Sequence, residues 1–299
     1  MKRKSIIIVA TVTAMITGLL TGCAGGAGDG SASGGSDGVR VLEVRFDQAA
    51  NPMSYVDENG VCTGYDVEIL RLVDEQLPDY EFHIEGTSKD DAIAGLTAGT
   101  YDIALHNAFY TEDRANKFYI PKENLGGSNA LFAFRAGEEK QFEGLKGEEL
   151  LEAIYDKGYK FCPLISGDGR TFQIEQYNAN HPDKAFEIEY TSNFDISNEY
   201  YEWITAGKYD VGMFMESGWN KTVVAEDGAE HKYADKLGTV EYKAIKSYPM
   251  ISKITLTQEF ADRVSDAIKA IKDDGTAAKL SEEFYGKNIF ESYPFEPGW

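Results

Sequence analysis

The chain says the same thing twice. Leu96-Thr97-Ala98-Gly99-Thr100-Tyr101-Asp102 and Ile204-Thr205-Ala206-Gly207-Lys208-Tyr209-Asp210 are near copies placed in the two halves of a 299-residue sequence. Each reads as a helix stopped by Gly and followed by a buried strand. An echo this far apart implies two lobes of like topology, not a short-period solenoid. The flanking patterns agree. Alternating Val39–Val44 predicts a strand, Asp57-Glu58-Asn59-Gly60 a turn, Val67–Val73 a helix face, and Phe82–Ile84 a second strand. In the other half, strands are expected at Lys160–Ile165, Phe186–Tyr190 and Tyr209–Phe214, with helices from about Arg170 and at Glu199–Thr205. A last strand near Tyr248–Lys253 precedes helices at Glu259–Lys272 and Thr276–Phe284. Strand–helix–strand alternation of this kind predicts an α/β fold, each lobe a mainly parallel sheet flanked by helices.

The N-terminus addresses location. Lys2, Arg3 and Lys4 precede an almost uncharged run, Ser5–Leu20, the layout of a secretory signal. That run is short for a membrane span. Leu20-Thr21-Gly22-Cys23 resembles the lipobox of bacterial lipoproteins, which implies cleavage before Cys23 and acylation of its thiol. Residues 1–22 are then a signal peptide. Residues 23–38, Gly/Ser/Ala/Asp-rich, read as a flexible tether that cannot bury a core. Together these give an extracytoplasmic chain held at a membrane face only by its lipid anchor.

The 277 residues left after cleavage suit two lobes better than one core. Net charge is −21, or −24 without the three basic signal residues, which disfavours nucleic acid and anionic lipid as partners, so no nucleic acid is expected. Cys62 and Cys162 fall in dissimilar contexts, so a disulfide is not expected, and His83, His106, His181 and His231 lack metal-ligand spacing. No nucleophile motif, phosphate loop or cofactor signature is present, so no catalytic residue, metal or cofactor is assigned.

Four ordered stretches carry a family resemblance. They are Asn51-Pro52-Met53-Ser54-Tyr55 through Gly64-Tyr65-Asp66-Val67-Glu68; the repeated Ala-Gly-x-Tyr-Asp phrase; Thr111-Glu112-Asp113-Arg114-Ala115; and Asp274-Gly275-Thr276-Ala277-Ala278-Lys279-Leu280 with Phe284-Tyr285-Gly286. In this order and spacing the chain resembles the polar amino-acid-binding family of ABC-transporter solute receptors. The resemblance implies a two-lobed, type II periplasmic-binding-protein fold joined by two crossover strands, placed near Phe132–Arg135 and Lys243–Tyr248. Lobe 1 would comprise residues 39–133 plus 247–299, and lobe 2 residues 134–246. It also implies a monomer that passes an amino acid to ABC permease subunits.

A free amino acid brings a carboxylate and an ammonium, and closing a cleft over either one unpaired costs several kcal/mol. The site therefore needs a bidentate cation, backbone donors and an anion. Arg114 follows the strand Tyr101–Leu105 by one loop, at the carboxyl edge where α/β ligands bind, and a guanidinium can grip a carboxylate with two bonds. The resemblance implies the same role for Arg114, backbone contacts from Asn107 and Phe109, and a pocket acid at Asp47. Gly169-Arg170-Thr171 matches a family anion site at a helix N-terminus; Thr171 supplies the expected hydroxyl, whereas Arg170 adds an unusual cation. The family's ammonium-binding Asp falls on Met215, with Glu216 beside it. Either Glu216 has taken the role, or the ligand lacks a standard α-ammonium. Lys89 stands where the family has an apolar wall. With Arg170 it either favours an acidic amino acid or points to water.

Two other classes stay open. An enzyme on this fold, resembling cyclohexadienyl dehydratases, would need a cleft acid or base such as Glu216, Asp47 or His106. A sensory receptor without a transporter would often carry a signalling domain.

Overall fold

A computed structural model describes residues 38–193, 196–293 and 295. The signal, Cys23 and all but the last residue of the tether lie outside them. The first half runs β1 (Arg40–Asp47), β2 (Ala49–Ala50), β3 (Ser54–Val56), β4 (Cys62–Thr63), α1 (Tyr65–Glu75), β5 (Tyr80–Thr87), α2 (Lys89–Ala98), β6 (Ile103–Phe109), α3 (Glu112–Lys117), β7 (Phe118–Tyr119) and β8 (Gly126–Arg135). It continues with α4 (Gly147–Asp156), β9 (Leu164–Ile165), α5 (Gly169–Asn180), β10 (Tyr190–Thr191), α6 (Ser197–Thr205), β11 (Gly212–Met215), α7 (Glu216–Trp219) and β12 (Leu237–Ser252). Helices α8 (Gln258–Asp273), α9 (Thr276–Tyr285) and α10 (Ile289–Ser292) end the order.

One mixed sheet organises the molecule, in the order β11-β8-β12-β6-β1-β5, with β7 paired to β12. Strand β1 lies parallel to β5 and β6, while β12 is antiparallel to both β6 and β8. The β8–β12 ribbon runs from Arg135↔Leu237 to Gly126↔Ser247. The expected segment Phe132–Arg135 lies in it, and Lys243–Tyr248 lies in it as far as Ser247, Tyr248 pairing instead with Ala108 of β6. Along β8, Ala130, Phe132 and Phe134 enter one apolar cluster while Leu131 and Ala133 enter another. That two-residue alternation is the pleat of a strand buried on both faces.

The first core packs Leu42, Val44 and Phe46 of β1 against Leu70 and Val73 of α1 and against Phe260, Val264 and Ile268 of α8. Helix α8 follows a Thr257 cap that accepts from the Phe260 amide, and it buries one apolar stripe. Each fully buried Leu, Val or Phe side chain contributes about 1.5–3 kcal/mol.

The repeated phrase proves to be a strand-pinning device. In the first copy the Asp102 carboxylate accepts the Glu43 amide at 2.8 Å, and in the second Asp210 accepts the Lys160 amide at 2.9 Å. Arginines complete both: Arg40 lies 3.5 Å from Asp102, and Arg135 lies 2.8 Å from Asp210. Gly99 and Gly207 take positive φ, both 73°, which Gly adopts without steric penalty.

The second half is less regular than its pattern suggests. Lys160–Ile165 gives a single parallel bridge, Phe161↔Val211, and then β9. Pro163 between them has no N–H to give a ladder. Of Phe186–Tyr190 only Tyr190 enters a strand, pairing in parallel with Leu164. Tyr209–Phe214 becomes β11, shifted by a few residues and antiparallel to β8. Among the described residues, no helix is long and apolar enough to cross a membrane, and no group of three or more His, Cys, Asp or Glu could hold a metal. Both Cys62 and Cys162 are free thiols.

Candidate ligand site

The carboxyl end of β6 sets the site. Its pairing with β12 is regular at Ser247↔Phe109 and Tyr248↔Ala108, then slips to Met250↔Ala104. Opposite the slip stands Pro249, which has no amide to donate. Asn107 lies in the resulting bulge with φ 53°, a left-handed conformation that Asn tolerates better than most residues. Strained backbone of this kind gathers at ligand sites.

Past β6, Thr111 caps α3 by accepting the Arg114 amide at 3.2 Å. This fixes Arg114 on the first turn, and its Nη1 donates to the Phe109 carbonyl at 2.6 Å. Burial works against the guanidinium, while Asp168 and then Asp113 support it. His106, 5% exposed, has an Nε2 without a hydrogen-bond partner. Burial first, then the charges of Arg114 and Lys89, push its pKa down to about 3, so the ring is neutral at physiological pH.

The N-terminus of α5 meets this edge. A Cβ built on Gly169 would lie 2.3 Å from the Phe109 Cβ, so only Gly allows the contact. Phe109 thereby joins the cluster holding Phe132, Phe161 and Val211. Next to it Tyr110 and Phe172 meet edge to face at 5.9 Å. An open cavity of about 350 Å³ adjoins these two rings, lined also by Glu112 and Gln173.

The sequence-derived residues divide. Phe109 abuts the Gly169 turn, Arg114 donates to the Phe109 carbonyl, and Asn107 lies two residues earlier on the same strand. Thr171 is buried, and its hydroxyl donates to the Ile165 carbonyl at 2.7 Å. Arg170 is paired within its own helix start: its Nε lies 2.9 Å from Asp168 Oδ1 and its Nη2 3.3 Å from Oδ2. Lys89 is exposed at the start of α2, and Asp47, ending β1, accepts the Ala49 amide at 3.1 Å. Glu216 is turned toward the C-terminal segment, where Lys287 Nζ lies 3.1 Å away and the Tyr293 hydroxyl donates to it.

One residue escaped the sequence reading. Asp168 caps α5, accepting the Arg170 amide at 2.8 Å. Burial works against its charge, yet Arg170 and Arg114 outweigh burial and hold the carboxyl below its ordinary range. Its signal was an acid directly before a helix start, within a Gly-Asp-Gly that reads equally well as turn punctuation.

Known proteins resemble the chain over most of its length. L-cystine-binding protein TcyJ of Bacillus subtilis is 23% identical over 243 residues, covering 80% of this chain and 82% of its own. TcyK of the same organism, likewise an L-cystine-binding protein, is 24% identical over 241 residues and 78% of each chain. Among solved structures, the probable amino-acid ABC transporter extracellular-binding protein ytmK of B. subtilis aligns with TM-score 0.56 at 22% identity, over 83% of this chain and 98% of its own. A structure from work on glutathione import via GshT and the cystine importer TcyBC of Streptococcus mutans aligns with TM-score 0.55 at 21% identity, over 84% and 96%. Residues 42–287 match the model of one family, and the chain therefore belongs to the bacterial extracellular solute-binding proteins, family 3.

Proposed function

We propose that this protein is the solute receptor of an ABC importer, that its solute is an amino acid, and that L-cystine is the first candidate. The observation that carries the reading is Arg114: a part-buried guanidinium at the carboxyl edge of the sheet, oriented by the carbonyl of Phe109, whose side chain abuts Gly169. Its remaining N–H groups suit a carboxylate, with two parallel bonds. The names of TcyJ and TcyK, both L-cystine-binding, support cystine over other amino acids.

In this reading residues 39–133 plus 247–299 form one lobe and 134–246 the other, hinged at the β8–β12 ribbon. A solute touching both sides stabilises the closed form because the open one offers it only half the contacts. Cys23, lipidated after removal of residues 1–22, would hold the monomer at the extracytoplasmic face of the cell membrane, with residues 23–38 as tether. The cycle needs binding and release, not covalent chemistry, so the protein acts as a carrier and not an enzyme.

The test is a thermal-shift screen of the purified protein against the twenty amino acids, L-cystine, dipeptides and small dicarboxylates. A solute that binds only the folded state raises the melting temperature, by about 2.7 kcal/mol of added stability at a hundred times its Kd. The expected result is an amino-acid shift that disappears in Arg114→Ala. No shift with any amino acid would remove the reading.

A further inference from the structure

An α-amino acid carries its two charges on one carbon, so the acid that meets its ammonium must stand beside the cation that holds its carboxylate. Met215, where the family resemblance implies that acid, is uncharged. Glu216 is engaged by Lys287 and Tyr293. Among the described residues, the acids whose charge acts on Arg114 are Asp168 and Asp113, and Asp113 is exposed and paired with Lys117 at 2.8 Å. Asp168 reaches Arg114 through a chain of contacts: it precedes Gly169, Gly169 abuts Phe109, and the Phe109 carbonyl receives Arg114 Nη1.

We propose that Asp168 is the group that receives the solute's α-ammonium, with Arg170 as the residue that positions it. This rests on the amino-acid reading above. The Arg170 amide and Nε both donate to Oδ1, and Nη2 lies at 3.3 Å from Oδ2. A carboxylate offers about four acceptor directions, so this clamp leaves one on Oδ2. The Asp168 side chain is 19% exposed, enough to present that direction to a solute. Arg170 thus does not make the site more cationic. It orients an anion and offsets its charge, and Arg114 with Asp168 read the two ends of a zwitterion.

The test is calorimetric titration of the full-length protein with L-cystine and with 3,3′-dithiodipropionate, the same disulfide dicarboxylate without its ammonium groups. Asp168→Asn keeps an equally good helix cap. Asp168→Asn/Arg170→Gln removes both charges together. Both variants are expected to bind L-cystine at least thirtyfold more weakly, because truncating one partner of a close charge pair costs at least that much. Dithiodipropionate affinity should change less than threefold, and Glu216→Gln should change neither. Equal losses for both compounds would reduce Asp168 to a structural cap and overturn the proposal, as would unchanged L-cystine affinity. Cystine binding that depends on Arg114 but not on Asp168 sinks this role alone. A wild-type chain that binds neither compound removes L-cystine as the solute, and the same pair of measurements is then made with the amino acid that the thermal-shift screen returns and its analogue without the ammonium.

Discussion

Asp66 is the second residue of α1 and 1% exposed, with an Oδ2 that has no hydrogen-bond partner. A helix N-terminus favours a carboxylate by some 0.3–1 kcal/mol. Removal from water costs more, and burial raises this pKa from 3.8 to about 7. The native protein therefore keeps a proton that the unfolded chain has already released. Stability contributed by that proton is full below about pH 4, is lost as pH rises toward 7, and stays lost above. A shift of about 3 units is worth about 4 kcal/mol, of which about 2.5 kcal/mol falls between pH 5 and pH 8. Asp66→Asn cannot titrate, so the difference in unfolding free energy between wild type and variant should change by that amount over this interval. In melting temperature the change is roughly 5–10 °C for a domain of this size. Urea unfolding and thermal melts of both proteins at pH 5, 6, 7 and 8 measure it. Taking the difference cancels the paired surface acids, such as Glu43 and Asp79, whose lowered pKa values act in the opposite sense. Parallel pH profiles for the two proteins would refute the reasoning.

Other expected outcomes follow from single contacts. Gly169→Ala puts a methyl 2.3 Å from the Phe109 Cβ, so urea unfolding should show a loss of about 1–3 kcal/mol and titration a weaker solute affinity; wild-type values in both would deny the contact. Asp102→Ala strands the part-buried Glu43 amide and should cost about 1–3 kcal/mol in urea unfolding, whereas Asp210→Ala frees an exposed Lys160 amide that water can meet and should cost less; equal losses would deny the difference in burial. Tyr293→Phe removes the hydroxyl that donates to Glu216 and should cost about 1 kcal/mol; an unchanged urea midpoint would mean the contact is not held in solution.

What could be read from the sequence was local. Gly99 and Gly207 announced helix ends, and Thr111-Glu112-Asp113-Arg114 announced a capped turn carrying a cation, because caps and left-handed stops act within a few residues. The Asp of the repeated phrase was visible, but its partners, the Glu43 and Lys160 amides, lie 59 and 50 residues earlier. The β8–β12 ribbon was foreseen only in part, since no local pattern sets the register of strands a hundred residues apart. Arg170 counted as an extra cation because a sequence gives charge without direction; its short link to Asp168 appears only when the helix start is folded. Glu216 misled for a related reason. Its partners Lys287 and Tyr293 come from the far end of the chain, and no spacing rule joins them.

The first core has a consequence for the order in which the molecule can be made. Leu42 and Val44, near the start of the folded region, share their burial with Ile268, Ile289 and Tyr293, near its end. A chain emerging from its N-terminus exposes the apolar face of β1 until α8, α9 and α10 have followed. Until then α1 covers that face only in part, and the emerging polypeptide is open to proteases and to any factor that holds unfolded chains. The cluster around Phe134, Phe142 and Leu150 draws largely on one continuous stretch and can close earlier. A chain released short of α10 would therefore carry a formed middle and an unformed beginning, which makes the last residues a checkpoint on completeness.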